Sequence, residues 1–279
     1  MHIFTAANSN YILGLAALIK SIDLNVTKSR HEQVKISIVS TDIDPEQKVQ
    51  LQNCCKYQLE WQELQSNYDQ LLSLSGSKLA YARLEPEKYT KETERLIWLD
   101  SDAIVLGSLE ALWNLDINPM PIAAAPNMWG NPNNSQDRNP YLNSGVLLYN
   151  MKLWEEEQLS EKLIENARLN LWADHDQGAL NSFLGERWKP LDQIWNNPNT
   201  EDMSTKVMHF ISRPKPWESS APNPLWLDML SQTPFKDEVE KIPNKLNAMS
   251  SFQLKYRKLD PWLREPVLKF KSYVKKQTR

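Results

Sequence analysis

One short run constrains this chain more than any other: Arg95-Leu96-Ile97-Trp98-Leu99, followed at once by Asp100-Ser101-Asp102. An apolar run of that length reads as a strand buried inside a sheet. It ends on two acids separated by one small residue. Two carboxylates so close repel each other unless a cation sits between them. Their oxygens are hard ligands, suited to magnesium or manganese. Side chains two positions apart point to the same side of an extended chain, so both can address one ion. A pair of solvated turn aspartates would read the same way, and the triplet alone does not separate the two.

The surrounding pattern alternates strands with helices. His2 to Ala7 reads as a short buried strand, with Asn8 and Asn10 as turn or cap residues. Ile12, Leu15, Ala16, Ile19 and Ile22 then fall at helical spacing between Tyr11 and Leu24. Val34 to Ser40 reads as a second strand, and Pro45 to Cys54 as a helix with proline in its first turn. Asn127 to Pro140, dense in Asn, Pro and Gly, is a loop. Leu142 to Asn150 returns to strand, and Met151 to Asn170 reads as one amphipathic helix. The expectation is an α/β fold with a mostly parallel central sheet. In such sheets ligands bind at the carboxyl ends of strands. Two motifs fall there: Ala6-Ala7-Asn8-Ser9-Asn10-Tyr11, and the acidic triplet.

The 279 residues suit one large domain with a tail, placed here at 1–245 and 246–279. No run of about 18 apolar residues is present to span a membrane. Met1-His2-Ile3-Phe4 does not read as a secretory signal. Cys54 and Cys55 are the only cysteines, and neighbours rarely bridge, so no disulfide framework is expected. That favours a reducing, cytoplasmic setting. From Gln253 onward nine Lys/Arg face two acids, although the whole chain carries a net charge of −3. A nucleic-acid binder is not indicated by that balance. The tail also interleaves Phe252, Tyr256, Trp262, Phe270 and Tyr273 with its basic residues. It reads as a segment able to lie on an anionic membrane surface, at the inner face, near a lipid-linked acceptor, with a solvated C-terminal helix or a tail packed on the domain as the alternatives.

Four further groups carry chemistry. His209 stands in a short apolar run, where a core histidine is the commoner reading. Lys215 follows six residues later in a Pro-stiffened loop, so a metal ligand and a cation there can address one diphosphate. Asn143-Ser144-Gly145 opens a strand with small residues, where glycine lets a ligand approach the backbone. Asp174-His175-Asp176-Gln177 stands at a helix start, with Asp174 as the expected cap. Arg83 is a candidate for phosphate or sugar hydroxyls, or for a surface ion pair.

In this order these pieces resemble glycosyltransferase family 8, which includes bacterial lipooligosaccharide galactosyltransferases and glycogenin. The likeness runs from His2 to about Trp217. It implies a GT-A fold, a UDP-sugar donor, a manganese ion (Mn2+, with Mg2+ the alternative) and retention of anomeric configuration. By the resemblance, Ala6, Asn8 and Tyr11 contact uracil and ribose, Tyr11 by stacking. Asp100 and Asp102, with Ser101 between them, and His209 match the metal ligands, and Lys215 matches the lysine on the diphosphate. Arg83, Asn143, Asp176 and Gln177 match positions around the donor sugar. An amide is a poor nucleophile, so Gln177 implies same-face substitution rather than a covalent sugar–enzyme intermediate. Asp176 then orients sugar hydroxyls.

Where the family carries glycine in HxxGxxKPW, this chain has Ser212, which by the resemblance still offers its N–H to the phosphate but would be strained if that position needs φ > 0. The implied partners are a UDP-hexose donor and a glycan or lipid-linked acceptor. Two alternatives remain. One is a haloacid-dehalogenase-like phosphatase, whose strand-terminal acids also read DxD. The other is an inactive relative that only binds nucleotide or glycan.

Overall fold

The computed structural model describes residues 1–25, 34–72, 77–91, 94–134, 136, 139–170, 172–198, 202–219 and 222–241. Strands run His2–Ala6 (β1), Lys35–Ser40 (β2), Leu59–Glu63 (β3), Arg95–Leu99 (β4), Ala103–Val105 (β5), Ile122–Pro126 (β6), Leu142–Asn150 (β7), Lys189–Pro190 (β8) and Val207–His209 (β9). Helices are Ile12–Asn25 (α1), Pro45–Gln52 (α2), Glu110–Trp113 (α3), Met151–Glu156 (α4), Leu159–Leu169 (α5), Asp176–Leu184 (α6), Pro224–Ser231 (α7) and Lys236–Lys241 (α8).

Seven strands form one sheet in the order β3-β2-β1-β4-β7-β6-β8. β1 pairs in parallel with β2 and β4, β2 with β3, and β6 with β8. Only β7 runs against its neighbours β4 and β6. The expected mostly parallel α/β sheet is therefore present. Strand alternation divides the core. Ile97 and Leu99 pack with Leu15, Ile19 and Ile22 of α1 on one face. Leu96 and Trp98 pack with Trp154, Leu163 and Leu180 on the other. Both faces are covered, which is why β4 is apolar from Leu96 to Leu99 rather than alternating with polar residues. β5 and β9 form a separate antiparallel pair.

Two local readings need correction. The helix expected over Met151 to Asn170 is two, α4 and α5, with Gln158 between them at φ 53°. On one straight helix Trp154 and Leu159 would lie about 140° apart around the axis. Both are fully buried, and the break turns both to the core. Asp174 does not cap α6: the cap position is His175, and no side chain bonds there. The short strands β5 and β8, with three and two residues, carry too few for a periodic signal. The C-terminal tail, with its expected helix and membrane contact, lies outside the described residues. Among the described residues no helix is long and apolar enough to cross a membrane. Cys54 and Cys55 are free thiols, as expected.

Candidate functional site

β1 and β4 lie side by side and parallel, so their carboxyl ends open into one cleft of about 510 Å³. Ala6, Asn8, Tyr11, Arg83, Asp100, Ser101, Asp102 and Trp217 line it. Both motifs that sequence placed at strand ends therefore meet in one space. After β1 the chain makes a tight turn at Ser9–Tyr11 and enters α1. Ser9 donates its N–H and its hydroxyl to Asp42, at 2.8 and 2.7 Å, which pins the turn to the loop after β2. The Tyr11 ring meets Trp217 edge-on, with centroids 5.2 Å apart. The Asn8 side-chain oxygen is buried and has no hydrogen-bond partner among the described residues. A buried acceptor left open in a cleft is suited to a ligand N–H. α1 touches the acidic triplet because residue 14 is glycine. A Cβ there would lie 2.6 Å from the Ser101 carbonyl oxygen and 2.7 Å from the Trp217 ring.

The acidic triplet gains its third member from β9. Ala103 of β5 pairs with His209, and Phe210 N–H donates to the Asp102 carbonyl at 3.0 Å. One ligand atom each from Asp100, Asp102 and His209 lies within 4.8 Å of the others. His209 Nε2 stands 3.1 Å from Asp102 Oδ1 and 3.5 Å from Asp100 Oδ2.

A chain of donors fixes the tautomer of His209. Gly145 N–H can only donate, so it sets Asn143 Oδ1 as acceptor, at 3.0 Å. Asn196 donates its amide to that same oxygen at 2.7 Å. The Asn196 oxygen is thereby turned to His209 Nδ1, 2.8 Å away, which must carry the proton. Nε2, 3.1 Å from Asp102 Oδ1, is then the nitrogen that can lend its lone pair to a cation shared with the two carboxylates. Three electron-pair donors aimed at one point fit a divalent cation, and two oxygens with one imidazole suit manganese. Gly145 also makes room for the ring: a Cβ there would lie 2.1 Å from His209 Cε1. The glycine read as an approach for ligand is an approach for histidine.

Lys215 Nζ sits 2.7 Å from Asp102 Oδ2 and donates to the carbonyls of Phe210 and Ile211 at 2.7 and 2.9 Å. Burial opposes ionisation of Asp102, but His209 and Lys215 outweigh it and hold the carboxyl below its ordinary range. Arg83 ties the triplet to α6. It donates to Asp100 Oδ1 at 2.7 Å and to the carbonyl and hydroxyl of Ser144 at 2.7 and 2.8 Å. Its Nε lies 3.1 Å from Asp176 Oδ2, and its guanidinium lies over the Trp98 ring. The surface ion pair considered for it is excluded, since Arg83 is 5 % exposed. Burial pushes Asp176 up to about 6, Arg83 pulls against it, and Asp100 adds to the rise. Gln177 accepts from Ser144 N–H at 3.0 Å and donates to Asp174 at 3.0 Å.

Asn143, Asp176, Gln177, His209 and Lys215 are thus linked to the cleft through the residues that line it. Ser212 is not: it is exposed and borders a second cavity of about 220 Å³ with Pro214 and Pro216. Among the described residues, non-glycine positive φ occurs at Gln158 and His175, so Ser212 carries no such strain. Sequence reasoning missed Asn196. Nothing about an asparagine after Trp195 signals that it will face an imidazole across the fold.

Three comparisons bear on this arrangement. The family model "Glycosyl transferase family 8" matches residues 2–221. General stress protein A of Bacillus subtilis (strain 168) is 29% identical over 258 residues, covering 80% of this chain and 90% of that protein. A lipopolysaccharide 1,3-galactosyltransferase of Salmonella typhimurium is 27% identical over 196 residues, covering 60% of this chain and 57% of that protein. The galactosyltransferase LgtC, solved with donor and acceptor sugar analogues, superposes with a TM-score of 0.66 at 18% identity, over 91% of this chain and 99% of that one. This likeness shows the GT-A-type fold. The phosphatase alternative is set aside. A family model that spans the turn after β1, the acidic triplet and His209 makes this chain a member of glycosyltransferase family 8.

Proposed function

We propose that this protein is a metal-assisted, retaining hexosyltransferase that takes its sugar from a UDP donor and passes it to a glycan or lipid-linked acceptor. The observation that carries the reading is the convergence of Asp100, Asp102 and His209 beside a cleft that begins at the turn after β1. Asp100, Asp102 and His209 would hold Mn2+, or Mg2+ in its place. Bound there, the ion supplies charge stabilisation to the leaving diphosphate.

The chain's own residues do the rest. Tyr11 offers a ring to the base, and the open oxygen of Asn8 accepts a base or ribose N–H or O–H. Lys215, close to Asp102, adds positive charge on the diphosphate side. Arg83, Asn143 and Asp176 frame the donor sugar, and Gln177 stands near its anomeric carbon. The bond from that carbon to the diphosphate breaks, and a new bond to the acceptor hydroxyl forms on the same face. The acceptor proton passes to a diphosphate oxygen. The acceptor meets the loop after β6, whose Met128 and Trp129 are 58 % and 61 % exposed. A flat exposed ring suits a sugar face. The protein works in the cytoplasm, with residues 246–279 resting on the inner membrane surface.

The test is UDP release from a series of UDP-hexoses, with Mn2+ and with chelator. Manganese-dependent release supports the reading. Nucleotide binding without turnover across a wide acceptor panel would favour an inactive relative. Equal binding to anionic liposomes by the full chain and by a chain ending at Ser251 would remove the membrane part.

A further inference from the structure

Asp174 and Asp176 are two residues apart and serve different partners, and the residue between them shows how. His175 has φ 56° and ψ −116°, a conformation that residues with a Cβ rarely adopt. Such strain persists where the surroundings over-determine it. With that kink, Asp176 faces Arg83 and Ser144. Asp174 instead collects three donors. Asn133 Nδ2 donates to Oδ1 at 2.8 Å. The Tyr141 hydroxyl and Gln177 Nε2 donate to Oδ2, at 2.7 and 3.0 Å.

The amide orientations follow from chemistry. Ser144 N–H can only donate, so the oxygen of Gln177 lies there and its NH2 group points to Asp174. Ala173 N–H likewise fixes the oxygen of Asn133 and leaves its NH2 for Asp174. A carboxylate is the one side chain of this size that accepts from all three without offering a hydrogen. Two of the donors, Asn133 and Tyr141, belong to the connection between β6 and β7. The third belongs to α6.

We propose that Asp174 is a positioning residue for glycosyl transfer: its carboxylate sets the amide of Gln177 against the donor sugar and fastens the β6–β7 connection to that amide. The inference rests on the hexosyltransferase reading. The acidic pair is divided by function. Asp176 neutralises Arg83, and Asp174 orients Gln177 and the loop that carries Trp129. A misplacement of about 1 Å in such a group costs on the order of a hundredfold in rate, and a loosened one somewhat less.

The experiment measures hydrolysis of UDP-glucose and UDP-galactose with Mn2+ and no added acceptor. Asp174→Ala is expected to lower kcat on the order of tenfold while donor KM stays within about twofold. Asp174→Asn keeps an oxygen for Tyr141 and Gln177 but sets its NH2 against that of Asn133. It is expected to restore kcat to within about threefold of wild type. The side-chain amide resonances of Gln177, identified by their loss in Gln177→Glu, are expected to move in Asp174→Ala and to stay near their wild-type positions in Asp174→Asn. If Asp174→Ala does not fold, Asp174→Ser, too short to reach Gln177, carries the same expectation.

Unchanged kcat in Asp174→Ala, a loss confined to KM, or equal losses in the Ala and Asn variants would overturn the proposal. If the wild-type protein releases no UDP from any of a series of UDP-hexoses, with or without a wide acceptor panel, the hexosyltransferase reading fails instead. The amide resonances then decide whether Asp174 holds Gln177.

Discussion

Asn196 Oδ1 lies 2.8 Å from His209 Nδ1, and this contact assigns a proton to Nδ1 and leaves Nε2 as the nitrogen able to bind a cation. The assignment is inherited from a backbone amide, Gly145 N–H, through Asn143. Asn196 is buried at 1 % exposure, so bulk water does not compete for this contact. Partners of this kind are worth about ten- to a hundredfold in metal affinity. Asn196→Ala is expected to weaken Mn2+ binding by about tenfold or more, read by titration calorimetry, with the fold intact. Unaltered affinity would show that His209 keeps its tautomer without Asn196.

Asp102 and Lys215 form a buried pair at 2.7 Å, with side chains 10 % and 7 % exposed. Removing one partner of such a pair leaves a buried charge and costs about 3 kcal/mol. Asp102→Ala is expected to lose about that much in urea unfolding without metal, as well as Mn2+ binding. The pH dependence has a definite sign. The Asp102 carboxyl is held below its ordinary range, so its contribution is complete above ~4 and is lost as pH falls below that. The stability gap between wild type and Asp102→Ala should therefore narrow toward acid. A gap that widens would contradict the pairing.

Gly145→Ala tests the room made for the imidazole. The new Cβ would fall 2.1 Å from His209 Cε1, so the ring must leave its place. The expected cost is about 1–3 kcal/mol in stability. Mn2+ affinity falls with it. A Gly145→Ala protein that binds Mn2+ normally would mean that His209 is not a ligand.

Gln158 offers a prediction remote from the cleft. It follows α4 with φ 53° and ψ 45°, where a side chain is strained and glycine is not. Gln158→Gly is expected to raise stability by roughly 0.5–1 kcal/mol, visible as a higher Tm, with UDP release unchanged. A lower Tm would mean that the Gln158 side chain makes contacts that outweigh the strain.

Much of the cleft was legible in the chain itself. Apolar runs at Leu96 to Leu99 in β4 and Val146 to Leu148 in β7 marked buried strands, because both faces of the sheet are covered. Acids at the end of such a run pointed to a cation, since neighbouring carboxylates repel each other until a positive charge lies between them. His209 was a weaker reading, and only its pairing opposite Ala103 brings it to the triplet. Sequence separation hides such contacts: Asp102 and His209 are far apart in the chain, and a three-residue strand has no period to detect.

Tertiary structure also supplied partners that residue type alone does not name. Asn143 supports the imidazole through Asn196, and Gly145 makes room for that ring. Asp174 holds Gln177 rather than capping its helix. The sequence by itself determined the α/β class, the longer buried strands and the chemistry at their ends, because burial and charge are written locally. The fold alone decided which asparagine meets which histidine and which acid meets Arg83. Those choices depend on distances across the sheet, and hydrogen-bond donors and acceptors select partners only after packing has brought them within about 3 Å.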